Sequence, residues 1–404
     1  MKIHKNFLAI LSVWGWLFVM VGCTIPPKEP APTRETALHQ LSYLTLPKFN
    51  DDMAYDGLEH SILKSLSYLD GIPADRMFQF GKDAYTAAHM KKTLDHFLGF
   101  IQTKPSKKEL KKFIGTHYRV YTSAGQHNPG EVLFTGYFEP VLEGSRSKST
   151  QYKFPVYARP ADLMIIDLAQ FSPKFKGEKI IARYTNRNIV PYHDRRAIEN
   201  ELILQGKAQE IAWLKNRLDL FFLQIQGSGK IYFNTGQVIN VHYHASNGRP
   251  YRSIGKLLID EGKIPREEMS MQSIRNYLDN HPEELKRILN YNPSYVFFKT
   301  EVEGPLGYIG VKLTPGRSIA TDRRLFPQTA LCFIETRKPL INGDGRIHQW
   351  INFSRFVLNQ DTGGAIRGPG RADLFWGNGR YAEIAAGHMQ HPGKLYFLVL
   401  KPVS

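Results

Sequence analysis

The feature that most constrains this fold is a change of hydrophobic period near residue 117. Before it, Leu58, Ile62, Leu66 and Leu69, then Leu94, Phe97, Leu98 and Ile101, recur at helical spacing, so each run predicts a helix with one apolar face. After it the texture turns to β. Runs rich in Val, Phe, Tyr and Ile predict strands at Arg119-Val-Tyr-Thr and over residues 132–138, 218–229 and 238–244, separated by turn chemistry such as Ser246-Asn-Gly248. Residues 271–278 and 283–289 predict a helical interruption, after which strands resume around Gly310-Val-Lys-Leu and Leu331-Cys-Phe-Ile. No repeat of solenoid period is present, and 404 residues with 42% hydrophobic content predict two globular domains.

Residues 1–22 read as an export signal. Lys2 and Lys5 precede an apolar core over residues 7–20 that is short for a membrane span. Met20-Val-Gly-Cys23 matches a bacterial lipoprotein cleavage box except for Met in place of the usual Leu, so Cys23 is the expected lipidation site. A multiply acylated cysteine holds a protein stably on a membrane. Thr24 stands where an aspartate is associated with inner-membrane retention, which favours the outer membrane with the body facing the periplasm. The proline-rich run that follows predicts an extended tether over residues 23–45. Cys332 is then the one remaining thiol; it excludes an intrachain disulfide and, in an apolar run, reads as a buried small hydrophobe.

A formal charge of +16 implies an anionic partner, but the Lys and Arg residues are spread along the chain. No zinc finger, recognition helix or RNA-binding aromatic pair accompanies them, so nucleic acid is unsupported by any motif, and an acidic polymer or an anionic membrane fits as well.

The densest chemistry lies in residues 360–379. Asp361 and Asp373 flank a turn with glycines at 363, 364, 368 and 370, and Phe375-Trp376 follows. Carboxylates beside a rigid turn suit general acid and base work in a partly desolvated cleft, and aromatic faces beside acids suit pyranose rings. Solvated aspartates on a β-turn and a core Phe-Trp pair are the plain alternative. Read as a strand, residues 218–226 place Leu220, Phe222, Gln224 and Gln226 on one face, so that both glutamines, followed by Gly227-Ser-Gly229, arrive at a cleft rim. His242 and His244 share a strand face, yet no third ligand or zinc motif accompanies them, so no metal is expected.

On these residues the chain resembles the membrane-bound lytic murein transglycosylase A family. The resemblance is carried by Phe134-Thr-Gly-Tyr-Phe-Glu-Pro140, Asp219-Leu-Phe-Phe-Leu-Gln-Ile-Gln-Gly-Ser-Gly229, Ser246-Asn-Gly-Arg-Pro-Tyr-Arg-Ser-Ile-Gly255, Asn292-Pro-Ser-Tyr-Val-Phe-Phe298, Leu313-Thr-Pro-Gly-Arg-Ser-Ile-Ala320 and residues 360–379. Together they span roughly residues 115–400. The C-terminal part is similar to the three-aspartate (3D) domain, whose acids here are Asp322, Asp361 and Asp373.

The resemblance implies a mainly β fold with flanking helices: a double-psi β-barrel over residues 46–141 and 298–404, a smaller β-barrel inserted over residues 142–297, and a glycan groove between them. It further implies a lytic transglycosylase that cleaves the β-1,4 bond between N-acetylmuramic acid and N-acetylglucosamine without water, leaving a 1,6-anhydro end. One recycling acid suffices for that reaction. By resemblance it is Asp373, with Asp361 orienting it and favouring its protonated form by like-charge repulsion. Thr135, Tyr137, Gln224, Gln226 and Ser228 are the expected substrate-binding residues, and Asp322 is expected to be structural or accessory. Glu139 is the alternative acid on composition alone. The rival readings are a hydrolytic muramidase using the aspartate pair and an inactive peptidoglycan-binding lipoprotein. Peptidoglycan and the membrane are the expected partners, no cofactor is needed, and partners in cell-wall synthesis or division are left unassigned.

Overall fold

Six strands close into a barrel in the computed structural model, which describes residues 31–125 and 128–402. In ring order they are Val132–Tyr137, Arg371–Phe375, Ser318–Ala320, Ile347–Asp361, Leu331–Ile341 and Gln390–Leu400. The ring closes because Gln390–Leu400 pairs antiparallel with both Leu331–Ile341 and Val132–Tyr137. Two pairings are parallel, Arg371–Phe375 with Val132–Tyr137 and Ser318–Ala320 with Ile347–Asp361. This is the expected double-psi barrel, and it has buried residues on both faces of its strands: Leu331, Cys332, Phe333 and Ile334 are all fully buried. A strand covered on both sides reads as a continuous apolar run.

The helical periods fall where the sequence puts them. Helix Leu58–Asp70 buries Leu58, Ile62, Leu66 and Leu69, and helix Ala87–Ile101 buries Leu94, Phe97 and Ile101 in the same core, while Leu98 packs at its margin. Thr86 caps the second helix by accepting from the His89 N–H. The N-terminal segment is pinned to the barrel by ions. Buried Arg317 donates to both carboxylate oxygens of Asp51, at 2.6 and 2.8 Å, and to the carbonyls of Asp56 and Phe356. Arg355 makes a similar fork to Asp52.

The second sheet has the order Val296–Glu301, Val238–Ser246, Ser228–Phe233, Val141–Ser145, Glu210–Leu214, Phe154–Tyr157. A single bridge between Ala158 and Phe298 brings its two edges together, giving the smaller inserted barrel. A separate three-stranded sheet, Met164–Asp167, Lys179–Thr185 and Asn188–Pro191, lies within the same stretch of chain. The region also carries helices, of which Met271–Asn280 meets the barrel helix Arg380–His388 through a Gln272 Nε2 bond to Glu383 O.

Three expectations fail. Residues 217–226 form a helix, Arg217–Gln226, not a strand. Asn216 caps it by accepting from the Leu218 N–H, and Gly227 ends it in a left-handed conformation at φ +79°. It is apolar all round because it is wedged between two clusters: Leu220 and Leu223 pack with the sheet, and Leu218, Phe221 and Phe222 pack with the helices that follow. A short apolar run reads the same as a buried strand or a buried helix, and here the caps decide. Gly310-Val-Lys-Leu is a turn touching Leu306 by one isolated bridge at Lys312; Gly310 takes φ +74° and the Gly307 N–H bonds Val311 O. The tether ends before residue 45. Ala37 and Leu38 are buried, and Leu38–Gln40 pairs as an edge strand with Tyr118–Ser123, because apolar side chains return directly after the prolines. Cys23 and the export signal lie outside the described residues.

Candidate active site

Ala320 is the meeting point of the two aspartates. It pairs with Asp373 on one neighbouring strand and with Asp361 on the other. Paired residues project from the same face, so the carboxylates stand two strand spacings apart, about 10 Å at the Cα atoms, with the Ala320 strand between theirs. The glycine-rich loop connects the two strands in sequence, but the Ala320 strand sets their separation.

The adjacent strand supplies the hydroxyls. Thr135 pairs with Asp373, and Tyr137, two residues on, shares its face. Thr135 Oγ1 donates to Asp373 Oδ1, and the Tyr137 hydroxyl donates to Asp361 Oδ2 at 2.8 Å. Asp361 Oδ1 accepts from the backbone N–H groups of Tyr308 and Thr362, at 2.9 and 2.8 Å. Both oxygens of Asp361 are therefore occupied. Asp373 differs: Thr135 and, at 3.4 Å, Arg371 Nε both approach Oδ1, and Oδ2 has no protein donor among the described residues.

Electrostatics act strongly on Asp361. Burial, helped by the charge of Asp373, pushes Asp361 up to about 6 against the pull of its three donors, so burial outweighs like-charge repulsion there. Tyr137 is pushed far up by burial and by Asp361, which keeps it a donor.

Behind Asp361, the buried Gln360 side chain accepts from Ser61 and Ser318 and donates to Ser61 O and Ser65. All four bonds reach helix Leu58–Asp70 or strand Ser318–Ala320, so the end of the Asp361 strand is held from inside. Buried Asp322 anchors the glycine loop instead. Burial opposes its charge, but bonds from Arg324 and the Gly368 N–H prevail and hold its carboxyl below the usual range.

The remaining expected residues scatter. Gln226 reaches the junction, where its Oε1 accepts from the Phe138 N–H at 3.0 Å. Gln224 does not join it, because two residues on a helix lie about 200° apart and Gln224 is buried within the inserted part. Ser228 is buried opposite His242. Glu139 is also buried; it accepts from Asn378 Nδ2 at 3.0 Å and faces Lys230 Nζ at 3.5 Å, bracing the chain where it crosses between sheets. Phe375 and Trp376 are core, with Trp376 Nε1 directed at Met389 Sδ, so neither offers a free face to a sugar.

Three groups escaped the sequence reading. Arg371 sits two residues before Asp373 on the same strand face, a signal that alternation alone contained. Tyr308 is half exposed, with its ring under the Arg323 guanidinium and its N–H on Asp361; no motif announced it. Ala320 lay inside a quoted motif, but its double pairing has no sequence signature.

The chain matches the MltA specific insert domain over residues 133–299 and the 3D domain over residues 317–399. It is 33% identical over 283 residues to the membrane-bound lytic murein transglycosylase A of Vibrio cholerae, covering 69% of this chain and 68% of that protein. The Escherichia coli protein of the same name is 32% identical over 282 residues, with the same coverage. Among solved structures, the membrane-bound lytic murein transglycosylase of Agrobacterium tumefaciens superposes with a TM-score of 0.72 at 30% identity, over 90% of this chain and 98% of that one. The Escherichia coli MltA structure with bound chitohexaose shares the fold at a TM-score of 0.69 and 24% identity, over 91% and 96% of the two chains.

Proposed function

The chain belongs to the membrane-bound lytic murein transglycosylase A family, and from that premise we propose that it cleaves the β-1,4 bond between N-acetylmuramic acid and N-acetylglucosamine in peptidoglycan without water. The glycan strand lies in the groove between the barrel and the inserted part. Asp373 is the acid that carries the reaction. Its Oδ2 proton passes to the glycosidic oxygen as the C1–O bond breaks, and the N-acetylglucosamine leaves with a new 4-hydroxyl. The carboxylate then takes the proton of the C6 hydroxyl as O6 closes on C1. The product is a 1,6-anhydro sugar, and the acid is restored.

The observation that carries this reading is the asymmetry between the two aspartates. Among the described residues Asp373 keeps one oxygen without a protein donor, while Asp361 has three donors on its two oxygens. A hydrolase needs a second carboxylate free to attack or to activate water, and the engagement of Asp361 speaks against that role. Asp361 instead orients Tyr137 and sets the local charge. The deciding experiment digests purified sacculi with the protein and weighs the soluble muropeptides. Ends lighter by one water than hydrolysed ends are expected; reducing ends would identify a muramidase, and binding without release an inactive lipoprotein.

Membrane attachment is assigned to acylated Cys23, with the body in the periplasm under the outer membrane. Among the described residues no helix is long and apolar enough to cross a membrane. A Cys23→Ser variant that still takes up labelled palmitate and still fractionates with the outer membrane would remove this assignment.

A further inference from the structure

The inserted barrel closes badly at one place, and a basic cavity occupies that place. Its edge strands, Phe154–Tyr157 and Val296–Glu301, touch through the single Ala158 to Phe298 bridge. Beside the bridge lies a cavity of about 480 Å³, within the size range of ordinary ligand sites. Two β-bulges border it. Ile211 is the extra residue between Glu210 and Ala212, His244 is the extra residue between Tyr243 and Ala245, and both line the cavity. The second bulge also breaks the strand alternation that put His242 and His244 on one face. Bulges re-aim side chains and recur beside functional sites.

The wall chemistry has one dominant sign. Arg146, Arg159, Lys299 and His244 face the cavity, with Lys299 paired to Glu301, Glu210 as the acid of the wall and buried Phe298 in its lining. Among the described residues Arg146 and Arg159 make no ion pair. Arg146 lies over the Phe233 ring at 4.5 Å, and Arg159 Nη2 donates to Leu163 O at 2.9 Å. Burial and the charges of Arg159 and Lys299 together hold His244 below its usual value, as a positive field requires. Planar guanidiniums suit carboxylates, and Glu210 offers a place for one amine.

We infer that this seam binds a short acidic peptide, the stem carried by the glycan strand, separately from the residues that cleave the glycan. The assignment rests on the murein reading above and deepens it. The two unjoined edges also allow an extended peptide to lie along them, as peptides do on exposed sheet edges. Peptide-bearing strands would then be gripped at two places, so cleavage of stem-bearing glycan gains over cleavage of bare glycan.

The test is calorimetry of the protein with stem peptide released from muropeptides by an amidase. Saturable binding is expected in the parent and in Asp373→Asn, with at least a tenfold loss in the Arg146→Ala/Arg159→Ala double variant. Arg146→Glu alone, at an exposed side chain with no hydrogen bond among the described residues, is expected to weaken binding without disturbing the fold. Absence of saturable binding, equal binding by the double variant, or inorganic phosphate binding as tightly as the peptide would each overturn the inference. Cleavage of peptide-free glycan should be the same in Arg146→Glu and the parent. If the parent fails to cleave peptide-free glycan and sacculi alike, the reading of the activity falls, and the calorimetry distinguishes that failure because it requires no turnover.

Discussion

The Tyr137 hydroxyl donates to Asp361 Oδ2 at 2.8 Å, while Thr135, two residues earlier on the same strand, donates to Asp373. One strand thus supplies a hydroxyl to each acid. The two acids differ in what else reaches them: the N–H groups of Tyr308 and Thr362 complete Asp361, and Arg371 approaches Asp373.

Replacing Asp373 by Asn keeps the shape and removes the proton. Turnover on sacculi should fall by roughly 10²–10⁴-fold or more, the usual range for a general acid, with glycan binding and urea midpoint unchanged. Thr135→Val should lower kcat with less effect on KM, because the hydroxyl orients Asp373 and is not itself the proton donor. Residual full activity in Asp373→Asn would transfer the acid role to another residue.

Asp361 gives stability a pH dependence of definite sign. Its carboxyl sits at about 6 in the folded chain against 3.8 for an ordinary aspartate, so between those values the native state binds the extra proton. Stability from this group is full below about 4 and is lost as pH rises through about 6, a change of about 3 kcal/mol at most. Asp361→Asn should flatten the urea midpoint between pH 4 and 7. It should also lower activity and alter the pH–rate profile across the same window; an unaltered profile would make Asp361 purely structural.

The Arg317–Asp51 pair is fully buried, and burial makes its halves interdependent. Asp51→Ala leaves a guanidinium unpaired and should cost about 3–5 kcal/mol in chemical unfolding. Arg317→Met with Asp51→Leu should cost much less than the single change, since the double variant buries no lone charge. Similar losses in both would show that the pair's hydrogen bonds, not its charge balance, dominate.

Gln360→Leu tests whether the strand end is held from behind. Four hydrogen bonds disappear, three of them to the hydroxyls of buried Ser61, Ser65 and Ser318, so about 1–3 kcal/mol of stability should go. Because Asp361 follows directly, kcat should also drop. An active, destabilised variant would separate the core network from the site.

The two N-terminal helices and two of the six barrel strands, Val132–Tyr137 and Leu331–Ile341, were legible because burial imposes a period on the side chains, and a period survives in one dimension. Asp361 and Asp373 were legible because both lie in one short segment with distinctive glycines. Arg217–Gln226 was not, since a helix buried on two sides loses its polar stripe and with it the period that distinguishes it from a strand. That misreading carried Gln224 to the cleft rim, and the helical turn of about 100° per residue removed it.

Residue types and their local spacing, then, determined which acids this protein has and which segments pack. Tertiary structure alone decided that Ala320 stands between Asp361 and Asp373, and that among the described residues one acid keeps an oxygen without a donor while the other has donors on both. The physical reason is that the Thr135 and Tyr137 hydroxyls lie 238 and 224 residues along the chain from the acids they reach, and the Ala320 strand that sets the register lies in a separate segment, all brought together only when the barrel closes.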